Sequence, residues 1–398
     1  MKLHMLYLKI YIIITCTLGS MAATFSSAQT APNVGPPPAA AQTSPFTSFI
    51  PKKQTLDTTV QYSYWDAALG GIVINLGPSI RRGERRPHAS LGSRRIAGHT
   101  SRYRLEGSRV IFSFLKPNHI DEITRYREYL VSIANEQDLQ SFSRNEQLAF
   151  WFNLHNVMLI ETIAKHYPVK HPSKIQIGGA YLHEAKLITI NGTALSLRNI
   201  REDIVYKNWQ NPNVIYGFYL GDIGGPSLLN YAFTGTNVTD VTQDLAVEYV
   251  TSLRGFRTTL SARNVSKLYG DTRPYYFTNW PTDLENHLLA HSNPKLAIEI
   301  TQDKPFRIAK YEYAIADIMG GTKPQNSITP TTGNIGWTSA SRNQMTSTAQ
   351  NRSAQLDRFL VEYDGKIKTM RRRDMLPKNG TVIITDIDTD VEANAVTP

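Results

Sequence analysis

The sequence predicts an α+β fold: a small, mostly antiparallel sheet packed by a buried central helix and several amphipathic helices. Three observations lead there. From about Arg144 to Lys165 apolar side chains cover most of a helical circumference, the pattern of a helix enclosed on all sides. Asn191-Gly192 lies between two apolar alternations, the strongest local signal for a two-residue hairpin. Around both, apolar residues recur at helical spacing in several shorter segments, and 41% hydrophobic residues in a chain of 398 suffice for a core without covalent staples.

At the N-terminus, Lys2 and Lys9 precede an apolar run from Ile10 to Leu18, and small residues follow it. That order of charge, apolar core and cleavage site is the pattern of a secretory signal. We expect a signal peptide over 1–28, cut after Ala28, and an exported protein, periplasmic or secreted; a retained N-terminal anchor is the alternative. The only cysteine, Cys16, lies inside the signal, so the mature chain would carry no thiol and no disulfide. Residues 29–56 hold Pro32, Pro36, Pro37 and Pro38 among Ala, Gln, Ser and Thr, the composition of a flexible spacer. An α+β domain is expected from 57 to 320, and a mostly mobile tail with a short helix and strand over 321–398.

Charge narrows the partners. The whole chain carries +10, and removing the two lysines of 1–28 leaves +8, which favours anionic surfaces such as phospholipid headgroups or acidic polymers of the envelope. The cations concentrate between Arg81 and Arg104, where Arg81, Arg82, Arg85, Arg86, Arg94, Arg95, Arg102 and Arg104 stand in one loop with His88 and His99. Such a block repels itself unless something anionic sits among it. On its own we read it as a solvated surface loop, with an anion- or polymer-binding loop as the functional alternative.

Before this loop, Val60 to Trp65 alternates like a short strand, and Trp65 to Leu76 reads as a helix. After it come a strand from Arg109 to Phe114 and an amphipathic helix carrying Ile120, Ile123, Tyr126, Leu130 and Ile133. Ser143 and Glu146 form a capping box that opens the central helix. On that helix Glu146, Asn153 and Asn156 share one face, being seven and three residues apart. Buried amides and carboxylates need partners, so these three either fix neighbouring loops or line a site.

Beyond it lie a turn at Gly178-Gly179, the hairpin with Asn191-Gly192, and a helix capped by Ser196. Val214 to Leu220 reads as a buried strand that enters Gly221-Asp222-Ile223-Gly224-Gly225-Pro226-Ser227, with a helix resuming after Pro226. Strand, glycine loop and helix in that order could aim backbone N–H groups at a phosphate or carboxylate, although a glycine pair also suits any tight turn. Further helices are expected at Val241 to Leu253, Asp283 to His291 and Arg307 to Met319. His287 and His291 have metal-ligand spacing, but no third ligand is evident; we read them as exposed polar residues and expect no metal and no cofactor. A last helix around Leu356 to Met370 and a strand at Thr381 to Asp386 complete the pattern.

Helix 145–165 with its Phe-Trp-Phe-Asn-Leu-His-Asn stretch, the Asn-Gly hairpin, the Ser196 helix and the Gly221–Pro226 loop, taken in this order, resemble the domain-of-unknown-function 547 family, in a secreted proteobacterial branch. The resemblance covers about Leu139 to Gly255. Relatives usually carry a histidine and two cysteines on the segment matching Val214 to Pro226. Here those positions hold Ile215, Leu220 and Gly225, while Gly221 and Pro226 keep the pattern. The resemblance therefore implies that a thiol-nucleophile reaction is closed to this chain: either the activity has been lost in this branch or those cysteines were never catalytic.

Two functions follow as expectations. The first is a non-catalytic binding or scaffold protein of the envelope that recognises an anionic or peptidic ligand, with Asn153, Asn156, Gly221, Gly224, Gly225, Arg85, Arg86, Arg94 and Arg95 as binding residues and a peripheral contact with the membrane surface. The second is a cofactor-free hydrolase or transferase, with Asp222 or Glu146 as general base and His155 or His183 as proton carrier. Nucleic acid is not an expected partner, because the export signal directs the chain away from it and no recognition motif is present.

Overall fold

A computed structural model describes residues 44–86, 98–323 and 354–375. Over these residues the fold is α+β, as expected. The expected signal peptide and most of the expected spacer lie outside them, as do Arg94, Arg95, His88 and the strand expected at 381–386.

The last residues of the expected spacer are packed. A 3-10 turn, Thr47–Phe49, sets Phe49 edge-on against Trp151 at 5.5 Å, and Gln140 donates from Nε2 to the carbonyls of Thr47 and Ile50. Helix α1 (Ser63–Ile72) then leads straight into β1 (Val73–Asn75), which pairs antiparallel with β2 (Ser108–Val110). The strand expected at 60–65 is absent, since the spacing of Tyr62, Trp65 and Leu69 buries them on one face of α1 and its approach.

Amphipathic α2 (Pro117–Glu136) packs on α3 (Arg144–Lys165), the axis of the fold. Every residue of α3 from Glu146 to Ala164 is buried, so the all-round apolar pattern has the meaning given to it above. Its N-terminus is half a capping box. Ser143 Oγ accepts from the N–H of Glu146, but the Glu146 carboxylate turns away to other partners.

Two short hairpins follow, β3 (Gln176–Ile177) with β4 (Ala180–Tyr181), and β5 (Ile188–Ile190) with β6 (Thr193–Leu195). Asn191 and Gly192 adopt φ of 48° and 77°, the left-handed pair that a type I′ turn requires. Ser196 Oγ accepts from the N–H of Asn199 and opens a π-helical turn, Asn199–Val205, that runs on into α4 (Tyr206–Asn208).

The strand expected at 214–220 is instead a 3-10 helix, Pro212–Gly217, followed by irregular backbone. Among the described residues no strand pairs with it; the Asn156 side chain takes the Gly217 carbonyl and the Tyr219 N–H, and Gly217 lies so close to the Phe152 ring that a Cβ would clash with it. Nor does a helix resume after Pro226.

Helix α5 (Val238–Thr251) leads to β7 (Phe256–Thr258) and β8 (Arg263–Val265), which form a mixed three-stranded sheet with β9 (Phe306–Ile308). Between β8 and β9 run α6 (Lys267–Tyr276), α7 (Thr282–Ala290) and α8 (Pro294–Ile300). The helix expected at 307–319 is extended. Its middle is threaded between β2 and the glycine loop: Val110 N–H donates to Ala316 O, Ala316 N–H to Gly221 O, and Ile223 N–H to Ala314 O. Helix α9 (Ala354–Arg372) docks through Phe359 and Tyr363 on Leu76, Leu105, Ile318 and Met319, and Lys366 Nζ donates to the Leu105 carbonyl at 2.7 Å.

Candidate functional site

The polar face of α3 is a clamp on irregular backbone. Glu146 accepts from the N–H of Val60 through Oε1 and from the N–H of Gly235 through Oε2. Asn153 donates to Phe233 O at 2.7 Å and accepts from Phe233 N–H, as a strand neighbour would. Asn156 donates to Gly217 O and accepts from Tyr219 N–H, both at 3.0 Å. Asp66 accepts from Ala232 N–H and Ser108 Oγ from Leu228 N–H along the same stretch. On either side of the glycine loop, at Gly217 and Tyr219 and again from Leu228 to Gly235, side chains therefore hold the backbone where a sheet would use a ladder, satisfying the demand that buried peptide groups be paired. Glu146, Asn153 and Asn156 fix loops; their polar atoms are engaged on backbone.

The glycine loop is likewise closed on itself. Ile223 and Gly224 donate to the carbonyls of Ala314 and Glu312, and Gly225 donates to Oδ1 of Asp222. Gly221 has φ +83°, and a Cβ there would stand 2.6 Å from Ile163, so the space between loop and α3 is filled. The N–H groups of Ile223, Gly224 and Gly225 in the cradle expected around Gly221, Gly224 and Gly225 are thus engaged within the protein.

Asp222 is 4% exposed and receives the Tyr311 hydroxyl at 2.7 Å. Burial pushes its pKa up to about 7, with the bonds from Tyr311 and Gly225 opposing. Beside it a cleft of about 10 Å³, lined by Gly224, Arg254, Lys267, Lys310, Tyr311 and Glu312, has room for about one water. Arg254, one of its lining residues, donates to Gly225 O and pairs with Glu248 at 2.5 Å.

His155 and His183 belong to a different network, built on Arg201. Arg201 Nη1 donates to Nε2 of His155 at 2.9 Å and towards Nδ1 of His183 at 3.3 Å, while His155 Nδ1 lies 3.0 Å from Asn156 Oδ1. A guanidinium only donates, so His155 is neutral with its proton on Nδ1. Burial, and then the Arg201 charge, hold both histidines well below the usual imidazole range. Asp222, Glu146 and the two histidines thus occupy three networks that share no hydrogen-bond partner.

Within the family resemblance, the structure and the comparisons now meet. Residues 139–250 match the model of DUF547, a family described as proteins of unknown function. The match supports the family over that segment. It covers the α3 clamp, the hairpins, the Arg201 turn, the glycine loop and most of α5, so the matched segment holds all four candidate acid–base residues. Comparison with curated proteins and with solved structures returned no match.

The arginine loop divides in two. Arg81 donates to Thr251 O and Phe256 O and pairs with Glu299 at 3.1 Å; Arg104 pairs with Glu362 at 2.7 Å. These two anchor it. Arg82, Arg85, Arg86 and Arg102 are exposed, and among the described residues none of them forms an ion pair; Arg102 lies over the Tyr103 ring.

His287 and His291 are buried, not exposed. Their rings pack at 4.5 Å, and His287 Nε2 meets the Tyr216 hydroxyl at 2.7 Å. Among the described residues no group of three or more His, Cys, Asp or Glu could hold a metal ion, and no helix is long and apolar enough to cross a membrane. Sequence reasoning missed Arg201, Tyr311 and Arg254. Their signal is pairing across the chain, which a local window does not contain.

Proposed function

We propose that this is an exported, non-catalytic binding protein of the cell envelope that recognises an anionic or peptidic ligand through its arginine loop. One observation carries the reading: Arg82, Arg85, Arg86 and Arg102 face solvent without carboxylate partners among the described residues, while the neighbouring Arg81 and Arg104 are paired with Glu299 and Glu362. Unneutralised guanidinium groups held on a folded base attract an anionic surface, each contributing about 1 kcal/mol near acidic lipid. The charge order of the N-terminus supports export, and the lack of any cysteine after Cys16 supports a role without thiol chemistry, in keeping with Ile215, Leu220 and Gly225 where relatives carry histidine and cysteine. Replacing Arg85, Arg86, Arg94 and Arg95 by glutamine tests it. Retention on phosphatidylglycerol vesicles or on acidic envelope polymer at low salt should fall; unchanged retention overturns the reading.

A second reading has one observation in its favour, the carboxyl of Asp222 titrating near neutrality beside a cleft. Asp222 would then be the general base of a cofactor-free hydrolase or transferase, its proton passed on to water, since His155 and His183 belong to another network. Asp222→Asn should abolish any turnover on that reading and leave vesicle retention unchanged on the first.

A further inference from the structure

We propose that Arg201, together with His183, forms a binding site for an oxyanion, the carboxylate or phosphate group of a ligand, separate from the arginine loop.

Arg201 is 8% exposed, yet among the described residues no carboxylate bonds to it. That sets it apart from its peers. Arg104, Arg254 and Arg263 are buried to a similar degree, and each pairs with a glutamate at 2.7, 2.5 and 2.6 Å respectively. Arg109 is wrapped by the carbonyls of Tyr103, Glu106 and Ser108. The acids nearest Arg201, Glu184 and Glu202, belong to Arg198, which lies 2.5 and 3.6 Å from them. A largely buried guanidinium with no bonded counter-charge, whose free edge still reaches solvent, favours an anion at that edge.

The free atoms specify the ligand. Both protein contacts of Arg201 use Nη1, which leaves Nε–H and the Nη2 hydrogens without partners among the described residues. This is the edge that grips two oxygens of a carboxylate or phosphate side by side. His183 accepts at Nδ1, so its proton is on Nε2, where it too is a donor without a partner. A set of donors with no free acceptor selects an oxyanion over a cation or a neutral polar group. The backbone carrying Arg201 is the π-helical turn Asn199–Val205, a departure from regular helix that recurs at functional sites. His155, fixed by Asn156 from behind, holds the guanidinium in place and acts as a positioning residue.

The test uses the full chain with its histidines labelled with nitrogen-15. Inorganic phosphate and acetate are titrated separately against chloride at matched ionic strength, following the ring nitrogens of His183 and His155 and the melting temperature. A saturable shift of the His183 resonances with a rise in Tm is expected. A response to phosphate alone assigns a phosphoryl ligand, to acetate alone a carboxylate, and to both a general oxyanion site. Arg201→Gln should weaken the response by about tenfold or more, and Arg201→Lys should weaken it too, because the ammonium keeps the charge without the fork. If Arg201→Gln fails to fold, Arg201→Lys and the wild-type titration decide. No saturable shift with either anion, or an equal shift in the folded Arg201 variants, overturns the proposal. Vesicle retention by the arginine loop is read separately, so the two proposals stand or fall apart.

Discussion

Tyr311 donates its hydroxyl to Oδ1 of Asp222 at 2.7 Å, joining an extended segment near the end of the domain to the glycine loop. The same carboxylate oxygen receives the N–H of Gly225. Two bonds are not enough to offset burial, and the carboxyl titrates near 7 instead of near 3.8. The folded state therefore retains a proton that the unfolded chain has already released, so stability falls as pH rises from about 4 to 7. Asp317, raised to about 6 by burial, adds to the fall in the lower part of that window.

Asp222→Asn keeps an acceptor for Tyr311 and Gly225 and removes the titration. Its denaturation midpoint, followed from pH 4 to 8, should decline less than that of the wild type. Parallel curves would mean that Asp222 is ionised at little cost in the folded protein.

The clamp from α3 predicts a large effect at a buried residue, Asn153. Asn153→Ala orphans both the N–H and the carbonyl of Phe233, at about 1–3 kcal/mol for each group left unpaired. Asn153→Asp should be worse, since it sets a carboxylate against the Phe233 carbonyl. Urea unfolding measures both; a loss below about 0.5 kcal/mol in Asn153→Ala would show that water takes over the role.

Gly107 has φ +76°, and a Cβ there would lie 2.2 Å from Arg254 Nη1 and 2.8 Å from Ser227 Oγ. Gly107→Ala should expel the Arg254 guanidinium from Gly225 O and Glu248 and cost more than about 2 kcal/mol, from backbone strain and a broken buried ion pair together. Gly178 provides the control: φ is +58° and nothing lies within 4 Å, so Gly178→Ala should cost only the strain, about 1 kcal/mol. Equal losses at the two sites would refute the packing argument.

Periodicity sufficed where an element is stabilised by its own pattern. The burial of α3, the hairpin at Asn191-Gly192, and helices α5 and α7 were legible because each obeys a local rule of spacing, capping or turn chemistry. It failed over 212–235 and 307–319, where apolar residues are dense but the backbone is paired by distant side chains and by a threaded partner segment. The candidate site was legible in part. Glu146, Asn153, Asn156, His155, His183 and Asp222 stood out as polar residues in apolar surroundings, and each is engaged in a specific network. Which network could not be read, because Val60, Phe233, Arg201 and Tyr311 reach them from far along the chain.

Binding through the arginine loop is tested most directly by the partition of the purified chain onto phosphatidylglycerol–phosphatidylcholine vesicles, compared with pure phosphatidylcholine, as salt is raised from well below to above physiological strength. Exposed charges are screened beyond about 8 Å at 0.15 M. The account predicts strong retention on the anionic vesicles at low salt, steep loss as salt rises, and loss at every salt when Arg82, Arg85, Arg86 and Arg102 become glutamine. Retention that ignores salt, lipid charge and those four arginines alike would contradict it.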